Sequence, residues 1–591
     1  MLQDLLFGIR LLRRSPGFSL LAVLCLTLGI GATTAVFGWI EGILLRPFPA
    51  VAHLDRMVAV AGDVPRMTRY DGLSWPDLQD LQKSCRLVRA FIADRITGTT
   101  LSVGDRAERA TGSVVSANYF SALGVRPILG RGFLPGEDSG RNAHPVAVIS
   151  YRTWKDRYGG DPRIVGRTQM LSGVRHTIVG VAPPGFYGTF VGYAFQFWVP
   201  AAMEEAFDGG GYKLDDRGAR WIEPYAMLAP GVTLAQAQAE VSAAAAQLAA
   251  AYPATNRGRG VKLLPLWQAP FNNARTLGPM LRIALAVACV VLLVACANVG
   301  NLLLVRALAR RHEMTVRLSI GAGRSRLVRQ LFTEGLILSG LAAGGGLLVA
   351  YWCRDLLVLF FPQRSGVIVN LPSELDWRVL AASAAVACAA TLLFGLAPAQ
   401  QAGKIDLAGA LRSDSAGAIA GGGGRRGRAW VRSGLVLVQV ALSFTLLVGG
   451  GLLIRSLRRM ESVDTGFATR GVLATGFDLV SAGYDVPRAR IFQERLLERL
   501  RAQGGVTSAA FARLVPFSYP SYSSAPISVP GYEMAPDEQP NVEFDEVGPD
   551  YLGTLGIPLV AGRGIRSADD EASAPVAVVN EAMAAQYWRA R

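Results

Sequence analysis

Five uninterrupted apolar runs stand out from an otherwise mixed chain, and none of them carries a charge: residues 15–40, 283–305, 335–353, 379–403 and 433–454. A helix needs about 20 mostly apolar residues to cross a bilayer. Each Leu, Ile, Val or Phe near its centre favours insertion by about 0.3–0.6 kcal/mol, whereas one Arg costs about 3. The pattern predicts five transmembrane helices, over 18–40, 283–305, 335–353, 379–400 and 433–454. Long soluble core helices without one charge are the rarer alternative. The first run follows Arg10, Arg13 and Arg14, as a signal peptide would. It exceeds the roughly 7–15 apolar residues of such a peptide and reads as a retained anchor. In the third run, Gly344, Gly345 and Gly346 leave room for close approach of another helix.

Between the first and second runs the pattern changes to short alternating segments. Residues 74–84 open with Ser74 and Pro76, a helix start. PVAVIS at 145–150 reads as a buried strand, and 167–186 as two strands around a Ser-Gly turn. Residues 233–252 form an Ala-rich helix with Thr233 at its N-cap and Pro253 past its end. Helices mixed with strands give an α+β domain.

Charge then orients the chain. The 591 residues carry a formal net charge of +15, with a pI near 9.8 and a mean hydropathy of +0.30. The basic residues lie beside the apolar runs, which favours a membrane surface over nucleic acid. Three arginines precede the first run. Seven arginines against one glutamate follow the second, in 306–331, and six basic residues lie between the fourth and fifth. Excess Lys and Arg stay in the cytoplasm. This puts the N-terminal tail (1–17), the 306–334 loop and the 401–432 linker inside. Residues 46–278, 354–378 and 455–591 are then outside.

The carboxyl-terminal part repeats the first exterior segment. NYFSALGVRPILGRGF at 118–133 matches DYLGTLGIPLVAGRGI at 550–565, and PVAVIS at 145 matches PVAVVN at 575. The long period marks a duplication rather than a solenoid. The first copy continues through the rest of its domain into three more runs. The second stops soon after the matched strand, so the sequence reads as truncated within an incomplete second domain.

No catalytic set emerges. Cys85 is alone among the exterior residues, which excludes an intradomain disulfide there, and His53, His144, His176 and His312 are scattered without ligand spacing. The five lysines, Lys83, Lys155, Lys213, Lys262 and Lys404, include none in a GxxxxGK[ST] phosphate loop. GAGRSR follows no strand, and GGGGRRGR at 421–428 reads as a flexible basic linker. Asp569, Asp570 and Glu571 read as a solvated loop, and Trp198, Trp221, Tyr519 and Tyr522 as core aromatics rather than a substrate surface. Asn298 and Asn301, late in the second run, are candidate interhelical polar contacts, with a conduction path as the less favoured reading.

Four stretches resemble the MacB-like and FtsX-like permeases of ABC transporters, and more closely the duplicated orphan permeases without an ATPase domain. They are FGIRLLRRSPGFSLLAVLCLTLGIGATTAVF, NVGNLLLVRALARRHEMTVRLSIGAGRSRLVRQLFTEG, LFGLAPAQQAGKIDLAGALR, and the GVRPILGRGF and PVAVIS blocks. The resemblance implies an α-helical integral membrane protein of the bacterial plasma (inner) membrane. It would comprise a MacB-like periplasmic domain (46–278), an FtsX-like permease domain (280–400), and a second, incomplete MacB-like α+β domain (455–591). It implies no cofactor of its own and a separate cytoplasmic ABC ATPase as partner, with membrane lipids and periplasmic proteins as further contacts. In the family the loop after the second helix meets that ATPase. Carried over, this singles out Glu313, Arg317, Gly321, Gly323 and Arg324. IGAG would give a flexible turn, and the arginines a set of forks for carboxylates. The alternative is that these arginines only fix topology and hold anionic lipid heads, at about 1 kcal/mol each.

Two functions follow as expectations. The leading one is a permease subunit that couples ATP hydrolysis by a separate protein to movement of the exterior domains, for efflux or envelope export. The other is a non-transporting scaffold or signalling protein that regulates envelope enzymes.

Overall fold

The computed structural model describes residues 10, 15–48, 50–63, 72–103, 106–208, 213–309, 324–354, 356, 369–370, 377–403, 422–477, 479, 484–516, 523–532 and 541–588. Long helices cover all five apolar runs: Pro16–Ile40, Asn273–Ala309, Arg324–Cys353, Trp377–Gly403 and Gly422–Glu461. Among the described residues, four of these helices are long and apolar enough to cross a membrane, and Trp377–Leu393 is a shorter apolar helix.

The helices outrun the apolar segments that mark them. Asn273–Ala309 has 37 residues, about 55 Å at 1.5 Å per residue, against a hydrocarbon core of about 30 Å. Hydropathy marks only the part of a helix in lipid. Backbone hydrogen bonding carries the helix on into water or protein. The same effect corrects the linker assignment: residues from Gly422 onward are the start of the Gly422–Glu461 helix rather than a flexible tether. Arg425, Arg426, Arg428 and Arg432 are good helix formers and extend the apolar helix backwards.

Small residues hold the first four helices together. A Cβ on Gly29 would lie 3.0 Å from the Leu292 side chain, and one on Gly31 3.0 Å from Val349. Gly345 faces Thr27 and Gly346 faces Gly31, so the glycine run of the third helix lies against the first. Leu26, Ile30, Leu292, Val299, Leu338 and Ala390 fill the bundle core. Ser339 and Thr391 share a hydrogen bond of 2.6 Å between the third and fourth helices. The fifth helix meets the second through Gln439, while its Leu437, Phe444 and Leu447 are exposed.

The first α+β domain is built on two sheets. One has four strands, in the order Gly260–Pro265, Met57–Asp63, Tyr225–Leu228 and Val88–Ile92. The other runs Leu129–Gly130, Val174–Val181, Val146–Ile149, Phe197–Pro200, Arg106–Val115, Asp94–Val103 and Thr168–Leu171. Its last strand also pairs with Val174–Val181, which curls the sheet back on itself. Local signals act as expected. Ser74 Oγ accepts from Asp77 N to cap Trp75–Ser84. Thr233 and Gln236 form a full capping box on Leu234–Ala251. Ser172 and Gly173, both at positive φ, turn the 168–181 hairpin.

Residues beyond the fifth helix form a helix, Val486–Arg501, capped by Asp485, and a two-stranded pair, Ser523–Pro526 with Asn541–Phe544. Two short helices, Tyr551–Thr554 and Glu581–Tyr587, complete the described part.

Candidate coupling site

The first two membrane helices are built into the α+β domain. The first continues past Ile40 through one π-helical turn, Glu41–Leu45. Ile43 and Phe48 from this exit, and Ala274 and Leu281 from the start of the second helix, belong to the same buried core as Tyr119, Phe120, Trp198 and Tyr225. Phe120, Phe186 and Trp198 pack ring against ring at 5.2–5.9 Å within it. Burying side chains of this size contributes about 1.5–3 kcal/mol each, so helix ends and domain are held as one packed unit.

Polar contacts reinforce the junction. Asn272 Oδ1 accepts from Val191 N at 3.0 Å, and Asn273 Nδ2 donates to Val191 O at 2.9 Å. Both asparagines lie at the start of the second helix, so its first turn is tied to the 185–193 loop. Two residues on, Gly192 and Tyr193 pair antiparallel with Asn370 and Val369, which lie between the third and fourth helices. Trp39 Nε1 donates to Arg354 O at 3.1 Å. Glu41, buried in the π turn, lies 3.8 Å from Arg378 at the start of the fourth helix. Arg354, Val369, Asn370 and Arg378 therefore lie on the same side of the bundle as the domain.

The opposite end holds Arg306, the first of the seven arginines. Arg306 Nη2 donates to Ser15 Oγ at 2.7 Å, and its guanidinium lies 4.7 Å from the Phe18 ring centre. This ties the far end of the second helix to the start of the first. Of the candidate coupling residues, Glu313, Arg317, Gly321 and Gly323 lie outside the described residues. Arg324 is the first residue of the third helix. Asn301 Nδ2 donates to Gln439 Oε1 of the fifth helix at 3.4 Å, while Asn298, on the second helix with Asn301, is half-buried. Trp198 is fully buried, Trp221 stacks on Trp75 at 6.3 Å, and Tyr519 and Tyr522 lie outside the described residues. Asp569 is not a free solvated carboxylate. It accepts two hydrogen bonds from Arg563, which draws its pKa down to about 2.

A buried polar cluster lies behind the junction. Asp94 accepts from the hydroxyls of Ser113 and Thr189, and Thr189 Oγ1 also meets Tyr119 Oη at 2.9 Å. Tyr225 Oη donates to Thr189 O, and Glu223 N donates to Asp94 O at 2.8 Å. Burial raises the Asp94 pKa to about 7 and that of Glu223 to about 8, the latter with help from Asp94. Nearby, Glu204 is fully buried between Arg95 at 2.9 Å and Lys213 at 3.3 Å. Sequence spacing gives no hint of this cluster, because its members are far apart along the chain. The single signal is an aspartate inside the apolar stretch AFIADRI. Glu41 escaped sequence reading because the apolar run was ended at Ile40. Among the described residues, no three His, Cys, Asp or Glu side chains group to hold a metal ion.

Residues 19–244 match the model of the MacB-like periplasmic core domain, and residues 285–407 that of the FtsX-like permease C-terminal. A macrolide export ATP-binding/permease protein MacB of Burkholderia lata is 24% identical over 311 residues, covering 51% of this chain and 41% of that protein. Its namesake from Syntrophobacter fumaroxidans is 29% identical over 139 residues, covering 24% and 18%. The chain thus spans less than half the length of these relatives. The crystal structure of the periplasmic region of MacB from Actinobacillus actinomycetemcomitans aligns with 40% of this chain and 97% of that one, at 13% identity and a TM-score of 0.29.

Proposed function

We infer function from the premise that the chain belongs to the MacB/FtsX-like ABC transporter permeases, inner-membrane proteins with an extracytoplasmic domain. We propose that it is the permease subunit of a complex in which a separate cytoplasmic ATPase drives movement of the exterior domains. The N-terminus and the 306–331 segment face the cytoplasm, all five apolar helices cross the membrane, and 46–278 and 455–591 lie outside. No lysine of these 591 residues lies in a GxxxxGK[ST] phosphate loop, and the reading assigns hydrolysis to a separate ATPase.

One observation carries this reading. The exit of the first helix and the entry of the second share the domain's core, through Ile43, Phe48, Ala274 and Leu281. Their other ends are clamped together by Arg306 and Ser15 beside the arginine-rich segment. A push on that segment moves helices that cannot shift without moving the domain. The macrolide export named for the relatives supports efflux or envelope export as the task, with periplasmic proteins as further partners. Glu313, Arg317, Gly321, Gly323 and Arg324 are assigned to the ATPase contact, and Asn298 and Asn301 to helix contacts.

The test is purification of the full chain in mild detergent with ATP, comparing wild type with Arg317→Glu and Arg324→Glu. Wild type retains a GxxxxGK[ST] ATPase and both variants lose it. If wild type retains none, the arginines serve topology and lipid binding, and a non-transporting scaffold becomes the better reading.

A further inference from the structure

The loop at 185–193 is held from two sides, and the two holds differ in kind. On its outer side it grips membrane segments. Val191 exchanges hydrogen bonds with Asn272 and Asn273 at the start of the second helix, and Gly192–Tyr193 pairs with Val369–Asn370 between the third and fourth. On its inner side the loop is fixed at Thr189. The Thr189 hydroxyl donates to Asp94 and meets Tyr119 Oη, and the Thr189 carbonyl accepts from Tyr225 Oη. Thr189, Asp94, Tyr119 and Tyr225 are all wholly buried.

We propose that Asp94 and Thr189 form a buried latch that makes the 185–193 loop the joint between the α+β domain and two separate parts of the membrane bundle. Releasing it loosens the attachment of the second helix and of the segment between the third and fourth helices, while the domain stays folded. Both residues are positioning residues: they act through the loop.

The physical case rests on which contacts of the joint run through the loop. Besides the packed helix ends, the Phe271 ring beside Phe190 and Tyr225, and the bond from Asn272 Nδ2 to Tyr225 Oη at 3.4 Å, the described residues of the domain meet these segments through main-chain and amide hydrogen bonds of the 191–193 stretch. Thr189 is the polar anchor of that stretch, beside the buried side chains of Phe186, Phe190 and Val191. An aspartate wholly removed from water is costly unless its oxygens are satisfied. Here Ser113 and Thr189 satisfy both, and the Arg95 main chain adds a further bond. The groups that face Asp94 are Tyr119, Tyr225, Glu223 and Ser113, with Arg95 next in the chain. Ser113 Oγ also lies 2.9 Å from Arg95 O. The network therefore has an acceptor in reserve if the carboxyl gains a proton.

The inference uses the coupling reading for its consequence and not for its geometry, so the test separates them. Full-length Thr189→Val and Asp94→Asn proteins are compared with wild type by hydrogen exchange in lipid nanodiscs, alongside the ATPase-retention assay. The latch predicts at least tenfold faster exchange at 190–193 and 369–370 in Thr189→Val, with the amides of Leu234–Ala251 unchanged and the ATPase still retained. Asp94→Asn shifts the same two segments. Unchanged exchange at those segments in Thr189→Val, or acceleration spread equally over the domain, overturns the latch. Loss of the ATPase in wild type as well overturns the coupling reading and leaves the latch standing on its exchange data.

Discussion

The two copies of the Gly-Arg-Gly turn are close replicas, whereas the strands that follow them are not. In the first copy Arg131 Nη1 donates to Gly132 O at 2.9 Å and Arg131 pairs with Glu137, which also accepts from Leu134 N. In the second, Arg563 Nη1 donates to Gly564 O at 3.0 Å and pairs with Asp569, which accepts from Arg566 N. The preceding helical turns match bond for bond: Val125 N to Phe120 O at 2.9 Å, and Ile557 N to Leu552 O at 2.8 Å. Each turn even accepts from an alanine just beyond its membrane helix, with Ala52 N bound to Leu123 O and Ala468 N to Leu555 O.

The next block behaves differently. Ala147, Val148 and Ile149 are almost fully buried, paired between Val174–Val181 and Phe197–Pro200. Val578 and Val579, the counterparts of Val148 and Ile149, are 43% and 41% exposed and lie in no strand. The described residues after them include no such flanking strands. Yet the helix that follows is capped alike in both, by Ser150 and by Asn580. A turn or a cap is specified by residues within a few positions, so it forms wherever its sequence occurs. A strand needs partners that lie elsewhere in the chain.

The largest expected difference between the copies is at their matched glycines. Gly130 and Gly562 both have positive φ, but a Cβ on Gly130 would lie 2.1 Å from Val179 O, while one on Gly562 meets nothing within 4 Å. Gly562→Ala costs about 1–2 kcal/mol for the left-handed conformation alone. Gly130→Ala adds a clash with backbone and costs more than about 3 kcal/mol. Urea unfolding of the full chain, followed by proteolysis at each domain, reads both. Equal losses would show that the sheet around the first copy adds nothing.

A comparable contrast separates the first and fifth membrane helices. A Cβ on Gly31 already crowds Val349, whereas Gly449, Gly450 and Gly451 face open space. Gly31→Leu overpacks the bundle by about 1–3 kcal/mol, and Gly449→Leu leaves the detergent melting temperature unchanged.

Acidity distinguishes the two domains next. Asp94 and Glu223 have folded-state pKa values raised to about 7 and about 8, chiefly by burial. Their contribution is fully present below the ordinary carboxylate range and is lost as pH rises through those values. The first domain therefore resists unfolding better at pH 5 than at pH 8.5, and Asp94→Asn flattens that slope. In the second domain Arg563 holds Asp569 near 2. Its contribution is present above the ordinary carboxylate range and is lost only as pH falls towards 2, so this pair gives no slope between pH 5 and 8.5. Hydrogen exchange across that interval separates the domains.

The smallest effect belongs to Asn301, whose bond to Gln439 ties the fifth helix to the bundle. Asn301→Ala costs about 0.6 kcal/mol, typical of such contacts in membranes. The detergent melting temperature of Asn301→Ala falls only slightly.

What was legible in the sequence follows the same division. The caps at Ser74 and Thr233, the Ser172–Gly173 turn and the repeat are local, and each could be read from adjacent residues. The membrane helices were legible as apolar runs but not in their full length, because hydropathy does not register where a helix leaves lipid. The helical start at Gly422 was hidden by its glycines and arginines. Of the latch, only Asp94 within AFIADRI left a trace in the sequence, since Asp94, Ser113, Tyr119, Thr189, Tyr225 and Asn272 meet only once two sheets and a membrane helix have packed.

The central claim is that ATP hydrolysis on one side of the membrane moves the domains on the other. Its most direct test is a distance measurement between spin labels at Ser242 and Glu494, in the full chain reconstituted with its ATPase in nanodiscs, after replacement of the native cysteines. The account predicts that the distance distribution shifts between ATP-free and ATP-trapped states, and that Arg317→Glu abolishes the shift. Identical distributions in the two states, with ATP being hydrolysed, would contradict it.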